Sequence, residues 1–281
     1  MTDVRGRTIV VTGGASGMGR LVALKLARQG GRVVIWDIDA ARLDQVVAEL
    51  NATGQQTANG YLCDVSNRQH VSDTAARVRR EVGPVSILVN SAGIVSGRSF
   101  LELSESQIER TMSVNTMALF WTAKAFLPEM VRSGSGHLVT IASAAGTIGV
   151  AGLADYCASK WAAVGLDEAL RAELKQRAPG VKTTIVCPYF VDTGMFQGVR
   201  TRFSCLLPIL HEDRVAERIV RAIRRDKPRL ALPWLVNFVP LLRMLPLSAF
   251  DTLANWLGIN DAMRSFEGRS AASERTEERV P

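Results

Sequence analysis

The sequence predicts an α/β domain: a single doubly wound, mostly parallel seven-stranded sheet with helices on both faces. Three observations carry the prediction. Short β-branched runs alternate along the chain with helix-length segments, which implies right-handed crossovers between parallel strands. Several runs are nearly all apolar, such as Val85-Ser86-Ile87-Leu88-Val89, as strands covered on both faces must be. A glycine-rich turn joins the first such run to the first helical pattern.

In chain order the strands are expected at 7–12, 31–36, 57–62, 85–90, 136–142, 181–187 and 229–233. Helices are expected at 17–30, 39–51, 67–82, 104–133 with a break near Pro128, 154–178 and 212–226. No repeat or internal linker interrupts this alternation, so residues 1–263 read as one domain. Residues 264–281 carry four arginines and four glutamates with few apolar groups, and read as a disordered charged tail.

Hydrophobic residues make up 47% of the 281 positions and charged residues 22%, the balance of an ordinary soluble globular protein. The first strand is reached by Thr8 without an apolar h-region, so no secretory signal is expected. A cytoplasmic location follows, with a membrane surface as a possible site of contact. Cys63, Cys157, Cys187 and Cys205 have no CxxC spacing, and His70, His137 and His211 are scattered, so no metal site is expected. Net charge is +7, and residues 200–229 hold nine Lys/Arg against four Asp/Glu. That patch suits an anionic partner. No nucleic-acid motif or interleaved aromatics lie beside it, so no nucleic-acid partner is expected.

Gly13, Gly17 and Gly19 follow Ile9-Val10-Val11 and precede the helical pattern Leu21, Leu24, Leu26. Glycine lets backbone approach a ligand closely. A helix N-terminus offers free amides and partial positive charge to a pyrophosphate. Strand, glycine turn and helix in that order predict a Rossmann-type dinucleotide site, with Ser16 and Met18 in the loop. Asp37 ends the second strand, 18 residues after Gly19. A carboxylate there accepts bonds from ribose hydroxyls and repels a 2′-phosphate. NAD is therefore the preferred cofactor, with NADP kept possible by Arg20 and Arg42. Asp37 and Asp39 also read as helix caps. Asp64 and Val65 end the third strand, and Asn90-Ser91-Ala92-Gly93 ends the fourth. Asn90, Ala92 and Gly93 fall on the edge of a parallel sheet where ligands lie.

Tyr156 and Lys160 are separated by one helical turn and share a helix face. A free phenol, with pKa about 10, is a poor base at neutral pH. A nearby ammonium and an oxidised nicotinamide ring both favour phenolate. Such a tyrosine can take a proton from an alcohol or return one to a carbonyl. Ser143, 13 residues earlier at the end of another strand, can hydrogen-bond the same oxygen.

These residues resemble the short-chain dehydrogenase/reductase family over about residues 5–260. The TGxxxGxG loop, the Asp-Val after the third strand, the NxAG turn, the Val-Asn of the fourth helix, the serine and YxxxK match in order. The resemblance implies a role for each matching position. Asn115 is the helix-kinking asparagine that helps hold a proton-relay water. Ser143 orients the substrate, Tyr156 is the acid/base, and Lys160 binds the nicotinamide ribose. After Pro188, Thr193 contacts the carboxamide, with Val191 beside it. Ser91 departs from the second asparagine of many relatives, and Tyr189 from their glycine. The resemblance also implies a homodimer or homotetramer through helices 104–133 and 154–178.

A narrower resemblance runs through Cys187-Pro-Tyr-Phe-Val-Asp-Thr-Gly-Met-Phe196, Leu206-Leu-Pro-Ile-Leu210 and Trp256-Leu-Gly-Ile259. It is similar to the branch holding epidermal-type retinol dehydrogenases and lipid-droplet hydroxysteroid dehydrogenases. That implies a lipophilic small-molecule substrate: a retinoid, a steroid or a long-chain alcohol or aldehyde. Residues 194–211 are expected to form an apolar substrate lid with Tyr189, Met195, Phe196, Phe203 and Leu206. Residues 230–257 hold only two charges, Arg243 and Asp251. Pro233, Pro240 and Pro246 argue against a spanning helix. The segment either packs on the body or a partner subunit, or docks on a membrane surface. Two other functions stay open: an NADP-dependent reductase of another class, such as 3-oxoacyl thioesters, and a cofactor-binding scaffold without turnover.

Overall fold

The computed structural model describes residues 1–52 and 57–268. Seven strands form one sheet in the order β3-β2-β1-β4-β5-β6-β7, and every pairing is parallel. They are β1 (Thr8–Thr12), β2 (Arg32–Asp37), β3 (Asn59–Leu62), β4 (Ile87–Asn90), β5 (Gly136–Ile141), β6 (Val181–Pro188) and β7 (Arg229–Leu232). Thr12 is level with both Trp36 and Asn90. The strand order reverses between β1 and β4, which opens the ligand crevice of such sheets at the strands' carboxyl ends.

The apolar strands are buried on both sides because two helical layers cover them. One core packs α1 (Gly17–Arg28), α2 (Ala40–Ala52) and α7 (Glu212–Arg224) against Ile9, Val11, Val33 and Ile35. The opposite core packs α3 (Arg68–Glu81), α5 (Ala118–Arg132) and α6 (Ala154–Arg177) against Val10, Val34, Trp36 and Leu88. There Phe126 meets Trp36 with ring centroids 5.4 Å apart. In α7 the buried residues Val215, Ala216, Ile219, Val220 and Ile223 recur at helical spacing, so one stripe faces the sheet.

The segment 104–133 is not one helix broken near Pro128. α4 (Glu105–Met112) passes into α5 through a widened π-helical turn at Ser113–Met117, and α5 runs through Pro128. The interruption falls where Asn115 turns its side chain to two other elements. Downstream, a 3₁₀ turn (Trp234–Phe238), α8 (Val239–Leu242) and α9 (Leu247–Trp256) follow β7. Among the described residues no helix is long and apolar enough to cross a membrane.

Residues 264–268, which composition assigns to the tail, pack against the body of the domain. Glu267 N–H donates to the Gln197 carbonyl, and Phe266 packs on Phe196 with centroids 6.4 Å apart. Residues 264–268 thus lie against the 194–211 loop, because Phe266 supplies the apolar anchor that the charge count hides. The remainder of the predicted tail, 269–281, lies outside the described residues.

Candidate active site

A cleft of about 690 Å³ runs along the carboxyl ends of β1–β6. Its floor is backbone. Gly13 has φ +61°, and a Cβ there would sit 2.7 Å from Ala92 Cα. A Cβ on Gly19 would sit 2.2 Å from the Gly13 carbonyl oxygen. Side chains are therefore excluded where the loop meets β4 and the start of α1. The first turn of α1 carries no acidic residue, so its exposed amides suit an anion. These features fit a dinucleotide.

Most of the predicted cofactor residues line this cleft: Gly13, Ser16, Met18, Gly19, Asp37, Asp64, Val65, Ala92, Gly93, Tyr156, Lys160, Pro188, Val191 and Thr193. Gly17 and Asn90 do not. Gly17 sits behind the loop with φ +49°. Asn90 is buried beneath the cleft, where its Oδ1 accepts from Thr122 Oγ1 at 2.9 Å. Its Oδ1 is turned toward α5, so the side chain braces the floor of the cleft from below.

Asp37 holds the glycine loop in place. Its Oδ2 accepts from Ala15 N–H at 2.9 Å, and its Oδ1 from Ile38 N–H at 2.8 Å. The capping role falls to Asp39, whose Oδ1 accepts from Arg42 N–H at 3.0 Å. Arg20 is held by Glu49 at 2.9 and 2.7 Å and does not line the cleft. Arg42 does line it, paired with Asp39 at 3.2 Å. Asp64 Oδ1 accepts from Ser66 N–H and Oγ at 2.9 and 2.6 Å.

At the far end of the cleft, α6 places Tyr156 and Lys160 one turn apart. Lys160 Nζ lies 5.5 Å from the Tyr156 ring centroid and donates to the Ile141 carbonyl at 3.2 Å. Ser143 accepts from Ala145 N–H at 3.1 Å, which fixes its side chain beyond β5. Burial pushes the Tyr156 phenol well above its ordinary value, and the hydrogen bond with Ser143 pulls it partly back. Burial also pushes Lys160 down to about 8. Desolvation thus dominates at Tyr156, and the lowering expected from its lysine neighbour does not arise in these surroundings.

Asn115 does not reach the cleft surface. Its Oδ1 accepts from Ile94 N–H at 2.9 Å, and its Nδ2 donates to the Ile94 carbonyl at 2.9 Å and to Ser159 Oγ at 3.0 Å. The side-chain amide is fully engaged in tying the loop after β4 to α6. Beside it Asp155, next to the tyrosine, accepts from Ser96 Oγ at 2.7 Å and Thr111 Oγ1 at 2.8 Å.

A second, apolar cavity of about 70 Å³ meets the cleft at Ser143, Tyr156 and Tyr189. Ile148, Leu153 and Phe190 form one wall, and Val239, Leu242, Phe250, Leu253 and Ala254 the other. The second wall comes from α8 and α9. The sequence reading missed it, because an apolar run near the chain's end carries no catalytic motif. It also missed Arg110 and Val114, which line the cleft from α4 and the π turn.

The lid residues divide. Met195 and Phe196 line the cleft, and Tyr189 lines both cavities. Phe196 stands edge-on to Tyr156 at 5.7 Å. Phe203 and Leu206 line neither cavity; Phe203 stacks on Trp256 at 5.0 Å. Leu207 reaches the apolar cavity in their place. The loop 201–207 turns back on itself, with Leu207 N–H donating to the Phe203 carbonyl at 2.8 Å. That reversal sets Leu207 inward.

A parallel sheet with this crevice, a glycine loop on α1, and a serine, tyrosine and lysine at its mouth define a nucleotide-dependent oxidoreductase fold. Residues 7–203 match the short chain dehydrogenase family, and the chain belongs to that family. Among curated relatives it is 45% identical to epidermal retinol dehydrogenase 2 of Homo sapiens over 266 residues, 94% of this chain and 86% of the relative. It is 42% identical to human retinol dehydrogenase 10 over 292 residues, with 94% and 86% covered. Among solved structures, a short-chain dehydrogenase/reductase from Burkholderia phymatum in complex with NAD superposes with TM-score 0.78 at 28% identity, covering 87% of this chain and 95% of that one. A metagenomic short-chain oxidoreductase in complex with NADP gives TM-score 0.68 at 28% identity, covering 82% and 96%.

Proposed function

We propose that this protein is an NAD-preferring dehydrogenase/reductase of a lipophilic alcohol and its carbonyl, of retinoid, steroid or long-chain type. One observation carries the reading: the apolar cavity ends on Ser143 and Tyr156, and the same two residues face the dinucleotide cleft. An apolar substrate in that cavity brings its oxygen to the Ser143 and Tyr156 hydroxyls where the cavity meets the cleft. The names of the retinol dehydrogenase relatives support the same substrate class.

A bound nicotinamide cofactor supplies the hydride acceptor or donor. The chain supplies the rest. Ser143 hydrogen-bonds the substrate oxygen. Tyr156 gives a proton to that oxygen in carbonyl reduction and takes one from it in alcohol oxidation. Lys160, partly desolvated, binds ribose hydroxyls and favours the ionised phenol. Asn115 is a positioning residue, acting through Ile94 and Ser159. Asp37 accepts from the adenosine ribose and opposes a 2′-phosphate. Exposed Phe120 and Val131 on α5 support assembly of copies through the helices 104–133 and 154–178, which light scattering checks.

The test is a panel of retinol, a hydroxysteroid and alcohols of rising chain length, with NAD⁺ and NADP⁺. Turnover is expected to prefer NAD⁺ and to rise with substrate apolarity. Asp37→Ser is expected to cut the NAD⁺/NADP⁺ preference about tenfold or more, since it removes a like charge from the 2′ position. Ala254→Leu fills part of the apolar cavity. It is expected to lower turnover of bulky alcohols about tenfold while sparing short ones, the usual effect of a few carbons in an apolar pocket. Equal losses for both sizes, or a preference for hydrophilic carbonyls, would overturn the assignment.

A further inference from the structure

We propose that the outer surface of the Trp234–Phe238 turn, α8 and the link to the start of α9 rests on a lipid bilayer, and that the apolar cavity takes its substrate through this surface. The second half rests on the lipophilic-substrate reading; the first does not.

α8 is apolar on two sides, whereas α9 turns Ser248, Asp251, Thr252 and Asn255 to solvent. Their inner sides, with Val239, Leu242 and Leu253, wall the cavity. Outside, Leu241 on α8 is 60% exposed, Met244 in the link 80% and Leu247 at the start of α9 75%. Trp234 and Trp256 flank them at 63% and 56% exposed. A surface helix in water normally turns a polar face outward. A contiguous exposed apolar patch of this kind marks a binding surface.

Lipid is the occupant that the chemistry around the patch fits. Tryptophans at both ends of the apolar stretch match the headgroup boundary, where an indole buries its ring and keeps its N–H wet. Cations border the patch on aromatic supports. The Arg243 guanidinium lies 4.6 Å from the exposed Trp161 ring, and Arg202 lies 5.6 Å from Phe203, which stacks on Trp256. Such arginines pair with lipid phosphates. Asp251 is the one acid between Trp234 and Trp256. Among the described residues no helix is long and apolar enough to cross a membrane, and short apolar segments of this kind lie in the interface plane. The wall between bilayer and cavity is then one helix thick, and a lipid-dissolved alcohol reaches Tyr156 without passing through water.

The experiment uses the full chain with phosphatidylcholine vesicles, with and without phosphatidylserine. The chain is expected to float with vesicles, more strongly with phosphatidylserine and at low salt. Brominated lipid is expected to quench tryptophan emission, and Trp234→Phe/Trp256→Phe to lose most of that quenching. Leu241→Glu/Met244→Glu/Leu247→Glu is expected to weaken flotation at least tenfold. That variant should keep wild-type turnover of a short water-soluble alcohol, which shows that it folds, and lose at least tenfold on a long alcohol delivered in vesicles. No flotation at low salt, or flotation indifferent to the triple substitution, overturns the docking surface. A dimer that the triple substitution splits, without vesicle binding, assigns the patch to a second copy instead. Flotation that depends on the patch, with vesicle-borne alcohol used no better by wild type than by the variant, removes only the entry route.

Discussion

Tyr156→Phe is expected to lower turnover of the preferred alcohol by about 10²- to 10⁴-fold, the usual worth of a positioned general acid/base. That corresponds to about 3–5 kcal/mol of barrier. Phenylalanine keeps the ring that meets Phe196 edge-on at 5.7 Å and removes only the hydroxyl. Cofactor affinity is therefore expected to stay within a few-fold, read by quenching of protein fluorescence. Burial holds the phenol above its ordinary value, so the proton stays on Tyr156 at neutral pH. Carbonyl reduction draws on that form, and alcohol oxidation needs it ionised. Wild-type oxidation is expected to climb toward alkaline pH, and the residual rate of the variant to be flat. A variant within tenfold of wild type would remove Tyr156 from the proposed chemistry.

Acid is expected to destabilise the fold through one ring far from the cleft. His137, on β5, is fully buried, with Nε2 2.8 Å from Thr184 Oγ1 and Nδ1 2.9 Å from Thr2 Oγ1. Burial pushes it down to about 4 from an ordinary 6.5. The Asp226 carboxylate opposes this, while Lys182 and the N-terminal ammonium reinforce it. The unfolded chain therefore takes up a proton near pH 6.5, and the folded chain not until about pH 4. Between those values the unfolded state binds more protons, so stability falls as pH falls. The contribution is intact above pH 6.5, and about 2–3 kcal/mol is lost by pH 4.5. Urea unfolding at pH 7.5 and 4.5 checks this against His137→Gln, which retains hydrogen-bonding groups and does not titrate. Wild type should lose about 2–3 kcal/mol more than the variant over that interval. Equal losses would mean that the ring accepts its proton inside the fold.

What the sequence alone determined is what local spacing encodes. Val85–Val89 reads as a doubly covered strand because its own residues leave no polar face. The glycine loop is legible because Gly13, Gly17 and Gly19 stand between an apolar strand run and a helical pattern. Tyr156 and Lys160 share a helix face by periodicity alone. The family's ordered motifs then add Ser143, 13 residues upstream of the tyrosine.

The tertiary structure decided whatever depends on partners distant in the chain. Asn115 and Asn90 read as ligand residues by position, yet the Asn115 amide is taken by Ile94 and Ser159, and the Asn90 Oδ1 by Thr122. A long-range hydrogen bond leaves no periodic trace in sequence. The same is true of the π turn at Ser113–Met117, which a helical pattern cannot distinguish from straight helix. Desolvation raised the Tyr156 phenol where a pairwise charge argument lowered it, because burial sums over the whole surroundings. One wall of the apolar cavity came from α8 and α9, since an apolar run fixes that a segment seeks cover but not what it covers. Only the folded chain brings Leu253 and Ala254 within one cavity of Tyr156 while leaving Met244 and Leu247 outside.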